Sequence, residues 1–471
     1  MSARGTPALE VVNVATAAAA HDRARRAFEG GMGRAPAERL ARLRALDAAL
    51  VRHEPEIFAA LHADLGRPPY EAYAGEIGVL RAQIGDARRS LRRWMKPERV
   101  RLPLRFLPGH ALRRPEPRGA VLIVAPWNFP IALSLGPLVG AIAAGCTAVI
   151  KPSELAPASA EVIARCVRSA FGDEGGVEVL HGGADVAEAL LELPWGLVFF
   201  TGSPRVGRSV MAAAARHLTP VCLELGGKCP CIVDDTADLT VAARRIAWGK
   251  FYNAGQTCAA PDYVLVSPRS NEPFVAALAD AVRQFYGPDP RRSPHYGRVV
   301  NAHHAHRLAR LLEGGGRIVT GGEHDVAARY VAPTVVTDVP AAHPLLEDEI
   351  FGPILPVVSV ADEAAAVAFV NARPTPLSLS VFARDRRRAQ RWLDLMPSGG
   401  GLVNDVLIQL ATETLPFGGL GASGMGAWHG KAGFDTFTHW RSIIARPFWP
   451  DVRLRYPPHP RSLALLRRLF R

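Results

Sequence analysis

Near the beginning of the chain the apolar residues follow a helical period. Between positions 36 and 94 they recur three and four residues apart, as at Leu40, Leu43 and Leu46, and the pattern breaks at Gly66-Arg-Pro-Pro69. This spacing places apolar side chains on one face of a helix, whereas a cluster of Gly and Pro ends one. The segment therefore predicts amphipathic helices joined by a tight connection.

Short continuous apolar runs replace this pattern from residue 119 onward. Such runs are typical of strands buried on both faces, and segments of helical composition lie between them. Strands and helices in alternation predict a parallel sheet covered by helices, which binds ligands at the carboxyl ends of its strands. The runs are 119–125, 147–150, 177–180 and 197–200, and 136–144 resembles a buried helix.

The alternation continues in a second block, from Leu225 to about Met425. We therefore predict an α/β fold with two parallel-sheet domains in series. The Pro- and Arg-rich segment 99–118 has no helical period and is compatible with an exposed hairpin or arm. The strands predicted in the second block are 230–234, 262–266, 317–320, 354–358, 378–382 and 401–404.

Length and composition favour a large soluble protein. A chain of 471 residues with 48% apolar and 21% charged residues is expected to form two or three domains. Six cysteines are too few for a disulfide scaffold in a chain this long, and the N-terminus has no secretory signal. No run approaches the roughly 18 apolar residues of a membrane span. These features predict a cytoplasmic protein with reduced thiols.

The net charge of +12 does not indicate a nucleic-acid partner. The chain has 51 arginines and five lysines, and the arginines are spread along it instead of forming one basic stripe. The C-terminal tail, 450–471, is basic and places Leu463, Leu466 and Phe470 on one helical stripe. Such an end could touch anionic lipid weakly, but docking on a partner subunit or exposure to solvent is favoured.

Cys258 is the candidate reactive residue. It lies on a predicted loop between a segment of helical composition, 240–252, and the apolar run Tyr263-Val-Leu-Val266. A loop held by two ordered elements positions a thiol yet leaves it open to a substrate, and a thiolate is a strong nucleophile. On its own the residue is equally interpretable as a small buried hydrophobe.

Polar residues follow two of the predicted strands and suggest a dinucleotide site. Lys151 could contact a ribose or phosphate, and Glu154 could accept bonds from ribose hydroxyls while disfavouring a 2′-phosphate, although the two could also form a solvated salt bridge. Gly202, Ser203 and Gly207 lie in a turn that follows a strand and opens a helix, where backbone amides can approach a pyrophosphate. The turn has no G-x-G-x-x-G, so a plain tight turn is an alternative.

Two further residues have chemistry that complements a nucleophile. Glu224, before two glycines, could act as a general base, or be a surface charge. Asn128 could donate its amide to a developing oxyanion, or cap a turn. No metal is expected, because Cys229-Pro-Cys231 and the histidines at 303, 304 and 306 are better interpreted as strand-flanking residues and a polar helix face.

Five separated motifs, taken together, resemble the aldehyde dehydrogenase superfamily across roughly residues 36–446. The chain is most similar to the class 3 branch of that superfamily. The motifs are Trp127-Asn-Phe-Pro130, Glu224-Leu-Gly-Gly227, Gly255-Gln-Thr-Cys-Ala-Ala-Pro-Asp-Tyr263, Glu349-Ile-Phe-Gly-Pro353 and Leu415-Pro-Phe-Gly-Gly419, with Val403-Asn-Asp-Val406 and Gly424-Met-Gly-Ala-Trp-His-Gly-Lys-Ala-Gly-Phe-Asp-Thr-Phe437 supporting the branch.

The resemblance implies a role for each candidate residue. Cys258 would attack the aldehyde, the Asn128 amide would hold the oxyanion, and Glu224 would activate water to hydrolyse the thioester. The cofactor would be NAD, with NADP as an alternative, and Glu154 favours NAD. The residues expected to bind it are Lys151, Glu154, Gly202, Ser203 and Gly207, together with Glu349 at the nicotinamide ribose and Phe351 near the ring.

The resemblance also implies an architecture and a substrate class. It predicts a Rossmann-like NAD(P)-binding domain, a catalytic domain and a small β arm for a homodimer, and medium- to long-chain aliphatic or aromatic aldehydes as substrates. Alternatives are a relative that transfers the acyl group to coenzyme A, and an esterase or non-catalytic protein of the same fold. The predicted bounds are 1–98 and 118–222 for the first domain, 223–425 for the second and 99–117 and 426–449 for the arm.

Three residues depart from the pattern of the family. Cys146 stands where Asn is common, Gln409 where class 3 members often have His, and Trp428 where Tyr is more usual. Gln409 is expected near the substrate side, so it bears on the substrate range and not on the catalytic step. Trp428 is interpreted as a packing variation.

Overall fold

The architecture was analysed in a computed structural model of the chain, which describes residues 14–451, 456–458, 463 and 467. Most of the predicted basic tail, 450–471, lies outside the described residues. Within them no helix is long and apolar enough to cross a membrane. The α-helices are α1 Val14–Glu29, α2 Pro36–Arg52, α3 Glu54–Leu65, α4 Pro69–Ala72, α5 Gly78–Trp94, α6 Pro130–Ala144, α7 Pro157–Phe171, α8 Ala184–Leu191, α9 Pro204–Ala215, α10 Leu239–Phe251, α11 Pro268–Tyr286, α12 Ala302–Leu312, α13 Pro344–Glu347, α14 Glu363–Asn371, α15 Arg386–Leu395 and α16 Gly430–Thr436.

The strands of the described residues form two large sheets and two small ones. They are β1 Glu98–Val100, β2 His110–Pro117, β3 Ala120–Val124, β4 Thr147–Lys151, β5 Val177–Val179, β6 Leu197–Gly202, β7 Val221–Leu225, β8 Pro230–Val233, β9 Tyr263–Val266, β10 Arg317–Thr320, β11 His324–Asp325, β12 Tyr330–Val331, β13 Thr334–Thr337, β14 Ile354–Ser359, β15 Ser378–Phe382, β16 Gly400–Val403, β17 Gly424–Met425 and β18 Thr438–Ala445.

The first large sheet has six strands in the order β17-β7-β6-β3-β4-β5. Five of them run parallel, and only the edge strand β17 is antiparallel to its neighbour. Every residue of β3 and β4 is buried, as expected for strands with helices on both faces. The helices that connect these strands cover the sheet, so its carboxyl ends are free to form a ligand cleft.

The second large sheet has seven strands in the order β10-β13-β14-β9-β8-β15-β16, and β10 at its edge is antiparallel. The largest hydrophobic core is continuous between the two sheets, extending from Val121 and Ile123 on β3 to Phe251 on α10 and Val264 on β9. The predicted α/β fold with two mostly parallel sheets is confirmed. The shared core holds the ends of the two sheets beside each other.

A third, antiparallel sheet is built from distant parts of the chain. Strand β2 pairs with β1 on one side and along its whole length with β18, from Thr438 opposite Pro117 to Ala445 opposite His110. The hairpin interpretation of segment 99–118 thus fits the short antiparallel pair β1-β2. This sheet projects apolar side chains into solvent, including Leu104 in the loop between β1 and β2 and Ile444 on β18.

Strand β7 shows where the sequence interpretation needs correction. It pairs with β6 and β17 of the first sheet, with Glu224 opposite Thr201 and Gly424. The domain boundary predicted between 222 and 223 therefore cuts a strand, and the first sheet extends to Leu225. The pattern obscured this strand because a carboxylate interrupts the apolar run from Val221. The remaining domain bounds stay predictions.

Candidate active site

Two cavities meet at Cys258. The larger has a volume of about 980 Å³ and lies at the carboxyl ends of the first sheet, between charged side chains. The smaller has a volume of about 240 Å³ and is lined mainly by aliphatic and aromatic side chains. Thr201, Glu224, Leu225 and Cys258 line both cavities. A group bound in either cavity would therefore contact the same thiol.

The position of Cys258 depends on a tight turn after α10. Asn253 and Ala254 both have left-handed backbone angles, with φ of 53° and 50°, and Gly255 follows with φ of 75°. A Cβ at position 255 would lie 2.2 Å from the carbonyl oxygen of Gly352, so only glycine fits there. The turn redirects the chain and leaves Cys258 half-buried on the predicted loop.

Burial favours the neutral form of the Cys258 thiol. It raises the pKa of Cys258 to about 12, and the negative charges of Glu349 and Glu224 act in the same direction. The backbone amides of Cys258 and Ala259 act against this shift. The thiol is therefore protonated at neutral pH in the protein alone, and a positive charge beside it would favour the nucleophilic thiolate.

Asn128 lies in the turn after β3 and is almost fully buried. Its side-chain Nδ2 donates to the carbonyl oxygen of Gln256 at 3.1 Å. It does not cap α6, whose N-cap is Phe129 and which has no side-chain cap. A primary amide has two N–H groups, so one remains available to the larger cavity, which Asn128 lines.

Glu224 is a buried carboxyl and not a surface charge. It is 3% exposed, and neither oxygen has a hydrogen-bond partner among the residues that the structure describes. Burial raises the pKa of Glu224 well above its ordinary value. The shift favours the neutral carboxylic acid, and a water entering the cavity would be its natural hydrogen-bond partner.

Lys151 and Glu154 form an ion pair in the wall of the larger cavity. Lys151 Nζ lies 2.6 Å from Glu154 Oε2, and the two side chains are 4% and 46% exposed. The predicted salt bridge is present and lines the cavity, and contact of these two residues with a cofactor stays a prediction. The buried ammonium is fixed in place, whereas the exposed carboxylate can exchange this partner for a ligand hydroxyl.

Gly202 and Ser203 line the larger cavity where α9 begins, and the Ser203 hydroxyl accepts from the amide of Val206 at 3.4 Å. The N-terminus of a helix is a favourable site for a pyrophosphate. Gly207 does not line the cavity. A Cβ there would lie 2.7 Å from Leu225 Cδ2, so this glycine lets α9 pack closely on β7. Gly207 therefore has a packing role, and its contact with a cofactor stays a prediction.

Glu349 and Phe351 form the opposite wall of the larger cavity. Burial and the charge of Asp262 raise the pKa of Glu349 to about 8. A Cβ on Gly226 would lie 2.2 Å from Glu349 Oε2, so a side chain at 226 would occupy this carboxyl's position. The Phe351 ring meets the Trp127 ring edge-on, with centroids 5.3 Å apart. The wall thus presents a hydrogen-bonding carboxyl beside a flat apolar surface.

The smaller cavity contains residues that the sequence interpretation missed. Gln409, expected near the substrate side, lies between the lining residues Ile408 and Leu410, and its own amide donates to the Ser378 hydroxyl at 2.9 Å. Trp428 does line the cavity, so its interpretation as a packing variation is incomplete. The missed lining residues Thr201 and Thr257 have buried hydroxyls without a partner among the described residues. Thr201 lies on β6 directly before Gly202, so the predicted turn at Gly202 was the available signal.

No group of three His, Cys, Asp or Glu side chains in the described part of the chain is arranged to hold a metal ion. Cys229 and Cys231 are buried on or beside β8, and the Cys229 thiol donates to the Cys258 carbonyl at 3.4 Å. His304 lines the larger cavity and packs against Trp127 at 5.3 Å. These residues contribute to packing around the site.

A half-buried cysteine at the boundary of two cavities is an arrangement that suits an enzyme with a nucleophilic thiol. The sequence profile of the Aldehyde dehydrogenase family matches residues 7–443. This chain belongs to the aldehyde dehydrogenase family. The expected resemblance is thereby confirmed.

Named relatives place the chain near the family 3 members. It is 45% identical to 4,4'-diaponeurosporen-aldehyde dehydrogenase of Staphylococcus aureus, over 91% of this chain and 94% of that one. It is also 45% identical to aldehyde dehydrogenase family 3 member B1 of Homo sapiens, over 94% and 95% of the two chains. The identity extends along nearly the whole chain, so the likeness covers both sheets and the arm.

Solved structures show the same fold. The substrate-bound state of Staphylococcus aureus AldH superposes with a TM-score of 0.93 at 43% identity, covering 96% of this chain and 99% of that one. An indole-3-acetaldehyde dehydrogenase complexed with NAD⁺ superposes with a TM-score of 0.86 at 27% identity, covering 93% and 90%. The architecture described above is therefore that of an aldehyde dehydrogenase.

Proposed function

We propose that this protein oxidises an apolar aldehyde to the carboxylic acid with NAD(P)⁺ and water, through a thioester on Cys258. The observation that carries the proposal is the meeting of two unlike cavities at one thiol, with Glu224 on the same boundary. A polar cofactor and an apolar substrate can then occupy separate spaces and react at a shared edge. Covalent catalysis at such an edge divides one difficult step into two.

In the first step the Cys258 thiol gives its proton to a water molecule of the solvent, the sulfur bonds to the aldehyde carbon and the carbonyl π electrons move to the oxygen. The oxyanion is stabilised by the free Asn128 N–H and the backbone amide of Cys258. Asn128 suits this role because its other N–H is already held by Gln256 at 3.1 Å, which fixes the plane of the amide. A fixed donor needs no reorganisation when the charge develops.

The larger cavity has the residues that NAD(P)⁺ requires. The start of α9 at Gly202 and Ser203 suits a pyrophosphate, Lys151 and Glu154 suit the adenosine ribose, and Glu349 with Phe351 suits the nicotinamide riboside. Gly207 supports this wall from behind. When bound, NAD(P)⁺ supplies the acceptor for the hydride that leaves the substrate carbon. The carboxylate of Glu154 disfavours a 2′-phosphate, so NAD⁺ is the preferred form.

Glu224 acts in the second step as a general base. It takes a proton from a water molecule, whose oxygen bonds to the thioester carbon, and the carbon–sulfur bond breaks to release the acid and regenerate the Cys258 thiol. Its two oxygens accept no hydrogen bond from the described residues, which leaves them able to bond a water molecule. A base inside the site also favours water over coenzyme A as the acceptor of the acyl group.

The smaller cavity supports medium- or long-chain aliphatic and aromatic aldehydes as substrates. Its volume of about 240 Å³ and its apolar lining suit a hydrocarbon chain or ring more than a charged substrate. Tyr70 and Trp248 line it and are partly exposed to solvent, which marks its outer end. A chain longer than the cavity could extend past these rings.

One assay tests the proposal. The purified protein is given a panel of aldehydes of increasing chain length with NAD⁺ or with NADP⁺, with and without coenzyme A, and the products are identified. We expect NAD(P)H and the free acid in equal amounts, with rates unchanged by coenzyme A. A thioester of coenzyme A would establish the acylating alternative. Ester cleavage without any reduction of NAD(P)⁺ would establish the esterase alternative.

We further propose a cytoplasmic homodimer formed through the sheet β1-β2-β18. Exposed apolar residues on and around that sheet, among them Leu104 and Ile444, support a protein partner, and the free cysteines among the described residues suit a reducing compartment. The division into an NAD(P)-binding domain, a catalytic domain and an arm is part of the same proposal. Sedimentation equilibrium of the wild type and of Ile444→Glu tests the dimer.

A further inference from the structure

Arg67 is a buried arginine with three separate partners. It is 1% exposed, it follows the left-handed Gly66 that ends α3, and it lines neither cavity. Its Nη1 donates to Glu76 at 2.5 Å, its Nε donates to Asn253 Oδ1 at 3.1 Å, and its Nη2 donates to the carbonyl of Asn128. A guanidinium is suited to this because it presents five donors in a rigid plane.

Asn253 extends these contacts to the loop of the nucleophile. Its Nδ2 donates to the carbonyls of Asn128 at 2.9 Å and Gln256 at 3.2 Å. The Gln256 carbonyl also accepts from Asn128 Nδ2, and Gln256 lies two residues before Cys258. Arg67, Asn253, Asn128 and Gln256 therefore form a connected network, which we call the Arg67 network.

Glu76 holds the backbone that follows Asn128. Its Oε2 accepts from the amide of Ala132 at 2.6 Å, in the first turn of α6. The guanidinium of Arg67 lies over the ring of Phe129, 4.6 Å from its centroid. Arg67 and its partner Glu76 thus hold the backbone on both sides of the Asn128 side chain and pack on the residue that follows it.

We propose that Arg67 is a positioning residue, which acts through Asn253 and the Asn128 carbonyl to fix the Asn128 amide relative to Cys258. The proposal rests on the proposed function, since it concerns the donor to the substrate oxygen in that reaction. The alternative is that Arg67 only stabilises the packing of α3 and α4 on the rest of the protein. The two roles predict different results when the Asn128 amide has been removed. A positioning role predicts that loss of Arg67 then has little further effect on kcat, whereas a packing role predicts the same effect as before.

A double-mutant cycle with Arg67→Met and Asn128→Ala distinguishes them. With Asn128 present, we expect Arg67→Met to lower kcat for aldehyde oxidation by about 10- to 100-fold, because small misplacements of a catalytic group have effects of this order. With Asn128→Ala, we expect the same change to cost less than about threefold, because coupled residues are not additive. The Kd for NAD⁺, measured by fluorescence, is expected to stay within about twofold, as a change confined to the far side of Asn128 leaves the larger cavity intact.

Two further variants distinguish an effect on catalysis from loss of folding. Arg67→Met leaves the Glu76 carboxyl without its charged partner, so Arg67→Met/Glu76→Gln is made in parallel, and thermal melts verify that each protein is folded. Arg67→Lys is expected to recover part of kcat, because one ammonium can reach only some of the three acceptors. The matched control is Arg39→Met, which removes another buried arginine, bonded to the carbonyls of Gly33 and Ala143.

The outcomes separate this inference from the proposed function. Equal losses from Arg67→Met in both backgrounds, or a kcat near wild type in a folded Arg67→Met/Glu76→Gln protein, would overturn the positioning role while leaving the reaction in place. A loss of kcat of the same size in Arg39→Met would also overturn it, because removal of any buried arginine would then have the same effect. A wild-type protein that oxidises no aldehyde in the panel would reject the proposed function, and this inference with it.

Discussion

The two cavities that meet at Cys258 differ in the charged side chains that line them. The larger, of about 980 Å³, has charged groups such as Lys151, Glu154 and Glu349 in its walls, whereas the smaller, of about 240 Å³, is lined mainly by apolar side chains. A dinucleotide carries phosphates and ribose hydroxyls that need charged partners, and a hydrocarbon chain needs none. The contrast teaches that this protein separates recognition of its two reactants almost completely in space.

The residues at the boundary between the cavities, among them Cys258 and Glu224, differ from the lining of both cavities. Burial raises the pKa of both Cys258 and Glu224, which favours the neutral form of the two groups that are proposed to react. A positive charge in the larger cavity would favour ionisation of both. The boundary is thus expected to become reactive when the charged cavity is filled, which links recognition on one side to chemistry at the edge.

The largest effect is expected from removing the atom that both cavities share. Cys258→Ala eliminates the nucleophile and should lower kcat by at least about 10⁴-fold, whichever aldehyde or cofactor is offered. Steady-state formation of NAD(P)H measures it. The control is Cys229→Ala, which removes the thiol that donates to the Cys258 carbonyl and should retain activity. Comparable inactivity in both variants would argue that the loop, and not the thiol, is what matters.

Glu224→Gln should have the next largest effect, because it removes the base of the second step. We expect kcat to fall about 10²- to 10⁴-fold and a burst of NAD(P)H equal to the number of sites, since the thioester would still form. Rapid-mixing absorbance measures the burst. Glu188→Gln, on the wall of the larger cavity, should show neither change. A normal kcat in Glu224→Gln would assign the base elsewhere.

The same substitution predicts two pH effects. Burial raises the pKa of Glu224 above 4.5, so the wild-type kcat should rise with pH as this carboxyl ionises, and Glu224→Gln should lose that limb. A raised carboxyl pKa also means that stability is present below the unfolded value and is lost as pH rises through the folded value. Glu224→Gln should therefore be more stable than wild type at neutral and alkaline pH, by about 1 kcal/mol or more. Thermal melts across pH measure the difference.

The substitution Leu410→Glu, in the smaller cavity, tests whether recognition of the aldehyde is independent of recognition of the cofactor. A carboxylate in the smaller cavity should raise KM for a long-chain aldehyde about 100-fold, because the chain would meet an unpaired charge. KM for NAD⁺ should be unchanged, since Leu410 lines only the smaller cavity. Leu395→Glu, on the exposed face of α15, is the matched control. A parallel rise in both KM values would show that the cavities are not independent.

The substitution Glu154→Gln, in the larger cavity, tests whether recognition of the cofactor is independent of recognition of the aldehyde. It should have the smallest effect. Removing the carboxylate should improve kcat/KM for NADP⁺ relative to NAD⁺ by about 3- to 10-fold, a size typical of partly exposed charges. KM for the aldehyde should stay constant. The control is Glu161→Gln, an exposed carboxylate on α7 paired with Arg165. An unchanged cofactor ratio would remove Glu154 from cofactor selection.

Much of this organisation could be predicted from local sequence. Continuous apolar runs such as that from Ala120 to Val124 identified the buried strands, since burial on both faces leaves a strong signature. The loop carrying Cys258 was also predictable, because Gly255 and Pro261 separate a helical segment from a strand. The short strands β7 and β13 were missed, because a carboxylate interrupts one and threonines border the other.

Side-chain direction was not predictable to the same degree. The packing of Gly207 on Leu225 and the hydrogen bond from Gln409 to Ser378 were not predicted. Arg67 lay in a stretch interpreted only as a helix break, and one arginine among 51 gives no signal. Each of these outcomes depends on a neighbour distant in the chain, which periodicity and spacing do not encode.

The pairing of β17 with β7 has a consequence for how the protein is made. The Leu225 amide bonds the carbonyl of Ser423 at 3.0 Å, and Gly424 lies opposite Glu224, so the edge of the first sheet is covered only by a segment roughly 200 residues further on. During translation that edge stays bare long after the ribosome has passed Phe351, the last of the predicted cofactor-binding residues. A message truncated between those points would yield a chain that contains Asn128, Glu224 and Cys258 and still carries an open, aggregation-prone strand.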